Sequence, residues 1–159
     1  MATHSHGGAP RQGGYGNDRG SDRRDAPSIK VDDIGFNPIP PQLFGDIAKR
    51  VAQTISESGR GNENKPTQLR KFYDELVIWH DKVHHERGQG RAEKYAEIAP
   101  FIQMMKAKVA YAQGRQHVDA NFERLFSHII SQIDDVASLK HAKLFMEAFM
   151  GFYKLYKQN

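Results

Sequence analysis

Two short segments hold the residues of this chain best suited to chemistry. The first is Lys65-Pro66-Thr67-Gln68-Leu69-Arg70-Lys71-Phe72-Tyr73, the second Lys106-Ala107-Lys108-Val109-Ala110-Tyr111-Ala112-Gln113-Gly114-Arg115. Each places cations and an aromatic ring at the end of an expected helix. In the second, a turn of about 100 degrees per residue that sends Ile98, Phe101, Ile102, Met105, Val109 and Ala112 to the core gathers Met104, Lys108, Tyr111 and Arg115 on the adjacent face. Lys106 falls on the opposite flank. No acidic residue occurs from Ile98 through Val118, so the sequence offers nothing local to neutralise those cations. Two cations and a ring of this kind suit phosphate contact and stacking of a base or ribose. The plainer arrangement is Tyr111 at a core edge with Lys108 and Arg115 solvated.

Arg70 and Lys71 carry a separate argument. With Thr67 as N-cap, both cations occupy a first helical turn, where the macrodipole and the free amides disfavour positive charge. A phosphate bound there turns the misfit into attraction. A rival constellation is His80-Asp81-Lys82-Val83-His84-His85-Glu86, because a spacing of four puts His80 and His84 on one helix face, within reach of a zinc or iron ion. His117, His128 and His141 are the further candidates to complete such a site, although no helix supplies the paired Glu-x-x-His that metal-binding bundles favour. No glycine-rich phosphate loop, cysteine nucleophile or nucleophile elbow is present. The paired acids Asp134-Asp135 read as surface charge.

The elements that position these residues are helices, with no strand pattern. Leu43, Phe44, Ile47, Val51 and Ile55 recur at helical spacing after Pro40-Pro41, and Ser58-Gly59-Arg60-Gly61-Asn62 ends that helix. A second carries Leu69, Phe72, Tyr73, Leu76, His80 and Val83 on one stripe, with Trp79 at its border, and stops near Gly88-Gln89-Gly90. A third lies between Arg91 and Gln113, with Gly114 as its stop, and Pro100 makes Ala92 to Ala99 either a separate short turn, the arrangement favoured, or a segment joined by a kink. A fourth starts at Asp119 and buries Phe122, Leu125, Phe126, Ile129, Ile130 and Ile133. The fifth, from about Ser138 to Tyr156, is apolar around most of its circumference. Such a helix either sits at the centre of the bundle or meets another chain.

A chain of 159 residues suits one domain, and 23 Lys and Arg against 19 acids, a net charge of +4, permit an anionic partner without requiring one. The absence of cysteine rules out disulfide and thiolate chemistry, and neither a secretory signal nor a membrane-spanning run is evident. Residues 1–38 differ from the rest. Six glycines between Gly7 and Arg24 alternate with Arg11, Arg19, Arg23 and Arg24, too polar a mixture to offset backbone entropy, so a disordered tail is expected. Arg and Gly suit loose contact with single-stranded nucleic acid. Asp18, Asp22, Asp25, Asp32 and Asp33 balance the charge, which fits a solubilising tail equally. The fold expectation is therefore all-α: a compact bundle of five or six helices over residues 39–159, behind a Gly/Arg-rich tail.

Together with the closing Glu147-Ala148-Phe149-Met150-Gly151-Phe152-Tyr153-Lys154, the two basic segments resemble the helical small subunit of type III-A CRISPR interference complexes, the Csm ribonucleoproteins. The strings Gln-Leu-Arg-Lys-Phe-Tyr and Lys-Val-Ala-Tyr-Ala-x-Gly-Arg, in that order, carry the resemblance, which runs from about residue 40 to 157. It implies a cytoplasmic, non-catalytic subunit without a cofactor, present in several copies along CRISPR RNA and its paired target RNA. It further implies contact between copies and with the repeat-type backbone subunits and the large subunit, to which the chemistry belongs. The RNA-binding residues would be Arg70, Lys71, Lys108, Tyr111 and Arg115. The readings left beside it are a metal-binding helical bundle using His80 and His84, and a helical adaptor that binds only protein.

Overall fold

The computed structural model describes residues 27–157. Within them the chain forms a single π-helical turn, Leu43–Ile47, that runs directly into α1 (Ala48–Ser58), followed by α2 (Pro66–His84), α3 (Gly90–Gly114), α4 (Ala120–Ser131) and α5 (Val136–Tyr156). The described residues contain no strand, and the all-α expectation holds.

α5 is the central member. It packs against α1, α2, α3 and the π turn, while α4 closes the bundle against α3 and α1. Its broad apolar surface is therefore covered from several sides within one chain. Leu139, Ala142, Phe145, Met146, Phe149 and Tyr153 are buried, and Leu155, 65% exposed near the C-terminal end, is the main apolar residue left outside. The core is aromatic: Phe72 lies 5.6 Å from Phe122 and 5.1 Å from Phe126, Phe122 meets Phe149 at 6.3 Å, and Phe149 stacks on Tyr153 at 5.4 Å. Rings at these separations gain directional energy beyond area burial.

Several helix ends depart from expectation for local reasons. α2 begins at Pro66, not at a Thr67 cap. Lys65 precedes it in extended conformation, as the residue before proline prefers, and proline suits the first helical position because the amide it lacks would have no partner there. α3 is unbroken across Pro100, so the expected separate turn over Ala92 to Ala99 does not form. The carbonyl that Pro100 leaves without a helical donor belongs to Ala96, and both residues are exposed, so water can satisfy it. The left-handed residue after α3 is Gln116 (φ 60°). Asp135 is no mere surface charge: it is the N-cap of α5, in a capping box with Ser138, and those hydrogen bonds hold its carboxyl below the usual range.

The expected tail boundary also shifts. The disordered tail was expected over residues 1–38, of which 1–26 lie outside the described residues. Residues 27–38 do not continue that tail. Ile29, Val31, Ile34 and Phe36 are buried, with Phe36 6.2 Å from Phe145 of α5. Asn121 Oδ1 accepts from the amides of Ser28 (2.7 Å) and Ile29 (3.0 Å), and Arg50 grips Asp33 through both carboxylate oxygens. His128 Nε2 meets the Ile34 carbonyl at 2.7 Å and His141 Nδ1 the Phe36 carbonyl at 3.1 Å. Two of the histidines considered as metal ligands are thus clamps on this N-terminal strap.

The junction of four elements rests on Asn64. It is fully buried with φ 59°, a backbone region that asparagine tolerates better than most residues. Its side chain accepts from the Asp119 amide (3.0 Å) and donates to the Ile55 carbonyl (3.4 Å), its amide donates to the His117 carbonyl (3.0 Å), and its carbonyl accepts from the Tyr153 hydroxyl. Asn64 thereby ties α1, the α3–α4 connection and α5 together at the end of the bundle where α2 begins.

Candidate nucleic-acid interface

α2 and α3 form an antiparallel pair whose outer face carries most of the sequence-identified residues. Trp79 stacks on Phe101 with ring centres 5.7 Å apart, and Glu75, one turn earlier on α2, is salt-bridged to Lys108 of α3. Continuing by one turn, the same face of α2 carries Lys71, at the level of Tyr111. Tyr111 is 66% exposed, and Arg115 lies against it: Nη1 donates to the Tyr111 hydroxyl at 3.2 Å, and the guanidinium carbon is 5.8 Å from the ring centre. Lys71, Lys108, Tyr111 and Arg115 therefore share one face. The ring and the guanidinium form a single amphipathic unit suited to a sugar or base on one side and a phosphate on the other.

Arg70 stands apart from this group. One residue from Lys71, it is turned about 100 degrees around the helix and lines a groove between α2 and α5 with Pro66, Thr67, Met150, Tyr153 and Lys154. It lies 3.7 Å from Asp74. Because α2 starts at Pro66, Arg70 and Lys71 occupy the second turn. The first-turn dipole misfit argued from sequence does not apply, since that effect fades within one turn.

The expectation that no carboxylate faces the cations also needs correction. No acid lies within α3 there, but Glu75 comes from α2 and holds Lys108. Sequence spacing within one helix could not reveal an ion pair between helices. Phe101, expected in the core, is 49% exposed and rests on Trp79, whereas Ile98, Ile102, Met105, Val109 and Ala112 are buried as expected. Lys154 was missed as a neighbour of Arg70; it stands one residue after the buried Tyr153, and only the packing of α5 on α2 joins the two cations.

His80 and His84 stack with ring centres 4.1 Å apart. His80 Nδ1 faces Asp81 at 2.9 Å, and His84 Nδ1 donates to the His80 carbonyl at 3.0 Å. Burial, reinforced by the nearby positive charges of Arg91 and Lys140, pushes the His84 pKa down despite that hydrogen bond. Among the described residues no group of three or more His, Asp or Glu side chains is placed to hold a metal ion. With His128 and His141 committed to the strap, the pair gains no third ligand from them.

A family profile, Csm2 Type III-A, matches residues 40–159, three quarters of the chain and all five helices. The chain belongs to the Csm2 Type III-A family. It is accordingly a small subunit of a type III-A CRISPR effector, a helical component of a Csm complex. Neither the comparison with curated proteins nor that with solved structures gave a match. The matched span begins at residue 40, after the strap. No helix of the described residues is long and apolar enough to cross a membrane.

Proposed function

We propose that this Csm2-family chain is a non-catalytic, cytoplasmic RNA-binding subunit that supports the CRISPR RNA and its paired target along the outer α2–α3 face. The observation that carries the reading is the convergence of Lys71, Lys108, Tyr111 and Arg115 from two helices onto one exposed face, with Arg115 laid against Tyr111. Cations on a rigid helical pair contact phosphates without reading bases, so the subunit positions RNA independently of its sequence. Arg70 and Lys154, around the corner of α2, extend the basic surface toward α5.

Membership of the family supports assembly in several copies beside the backbone subunits and the large subunit, where the chemistry resides. α5, largely covered within its own chain, contributes less to such contacts than its sequence promised, with Leu155 as its exposed apolar point. The test is retention of RNA by chains carrying Lys71→Gln and Arg115→Gln, measured with two RNAs of unrelated sequence. Equal weakening for both RNAs with an unchanged helical signal is expected; unchanged retention rejects the face.

A further inference from the structure

The outer face of α3 does not end at Lys108. One and two turns toward its N-terminus it carries Met104, 54% exposed, and Phe101, 49% exposed, and α2 carries Ile78, 53% exposed, next to Trp79 in sequence. The Phe101 ring is backed by Trp79 at an interplanar angle of 14°, so the pair presents one supported aromatic face outward. Lys82 Nζ stands 5.2 Å from the Trp79 ring centre. Beneath the pair, Trp79 Nε1 is buried without a hydrogen-bond partner, an arrangement that costs stability. An aliphatic residue at position 79 would fill the space without that cost but would not stiffen Phe101 from behind.

We propose that Phe101 is a stacking platform for one unpaired base of an RNA strand whose phosphates run past Lys71, Lys108 and Arg115. The inference rests on the reading of this face as an RNA interface and adds to it a base-contacting position. Charge and geometry favour a base over a protein partner. Phe101, Lys108, Tyr111 and Arg115 lie on one stripe of α3, so two rings about 15 Å apart along the axis alternate with cations. That is the pattern of single-strand binding, in which bases stack and the backbone is neutralised. Three half-exposed apolar side chains also fall short of the roughly 800 Å² per partner that a stable protein interface requires, whereas one aromatic ring is enough for one base.

Trp79 is the only tryptophan in the chain, so its emission reports directly on this position. In the full chain, Phe101→Ala is expected to weaken binding of an unstructured mixed-sequence RNA about tenfold. Phe101→Tyr should restore it and Phe101→Leu should not. Trp79 emission should change on adding that RNA and not on adding an abasic strand of the same length. Wild-type affinity in Phe101→Ala, equal affinity for the abasic strand, or unaltered Trp79 emission would overturn the platform. Unaltered RNA affinity in Phe101→Ala with failed assembly onto the other subunits would make the patch a protein contact and overturn it too. Lys71→Gln with Arg115→Gln, measured in parallel, separates the two ideas. Loss there with Phe101→Ala unaffected sinks the platform alone, and loss in neither sinks the RNA face as well.

Discussion

Lys108 of α3 is salt-bridged to Glu75 of α2, so the one lysine central to the basic face is already neutralised by a carboxylate from the neighbouring helix. The pair is partly exposed, and its contribution to stability is small. If this face binds RNA as proposed, the larger effect of the pair is on binding, because Glu75 then competes with phosphate for Lys108. Glu75→Gln is therefore expected to raise RNA affinity and to steepen the salt dependence by about 0.7 in log–log slope, one added phosphate contact on a single strand. A binding titration at several salt concentrations checks this; weaker binding would show that Glu75 itself orients the face.

The strap is predicted to be part of the stable fold. Ile29, Val31, Ile34 and Phe36 are buried, and burial of each such side chain stabilises by about 1.5–3 kcal/mol. A chain lacking residues 1–26 should melt at the temperature of the full chain. One starting at residue 40, the beginning of the family match, should melt well below it, and Phe36→Ala alone should cost about 3–5 kcal/mol. Thermal melts followed by circular dichroism decide between these outcomes and a strap that is dispensable.

Asn64 gives a sharp test of the junction. Asn64→Gly keeps the left-handed backbone but leaves the Asp119 amide and the Ile55 carbonyl without their partner, a loss of about 1–3 kcal/mol. Asn64→Ala loses the same bonds and adds backbone strain of about 1 kcal/mol, so it should be the less stable of the two in denaturant unfolding.

Acid should weaken the protein in two separate steps. The His84 pKa is lowered from its ordinary 6.5, chiefly by burial, so the unfolded chain takes up that proton first; the stability is present above pH 6.5 and is lost as pH falls toward the folded value. Asp33, lowered from 3.8 chiefly by its hydrogen bond with Arg50, contributes stability that persists above 3.8 and is lost below it. Melting temperature against pH should therefore decline below 6.5 and again below 3.8. His84→Gln should flatten the first decline, and Asp33→Asn should reduce the second, to which Asp135, lowered by its hydrogen bonds with Ser138, also contributes.

Much of this architecture was legible because apolar periodicity is local. Phe122, Leu125, Phe126, Ile129 and Ile130 all went to the core as spacing required, and Asp119 caps α4 as its residue type promised. What could not be read depends on contacts between distant residues. Nothing near Asp33 announces Arg50, nothing near Ile34 announces His128, and the polar Gly/Arg run before it hid four buried side chains. The basic face divides in the same way: helical rotation groups Lys108, Tyr111 and Arg115 and separates Arg70 from Lys71 by about 100 degrees, but only the packing of α2 on α3 introduces Glu75 and decides which of Arg70 and Lys71 lies on the α3 side. Phe101 was misassigned because a residue at the edge of an apolar stripe reads as core until its neighbour, here Trp79, is known.

The central claim is that the α2–α3 face binds RNA through phosphate contacts, and the salt dependence of binding tests it most directly. Equilibrium RNA affinity of the full chain, measured across a range of salt concentrations, should fall steeply. Lys71→Gln with Arg115→Gln should lower the magnitude of the log–log slope by about 1.4, two contacts at about 0.7 each, whatever the RNA sequence. An affinity indifferent to salt, or a slope left unchanged by removing both charges, would contradict it.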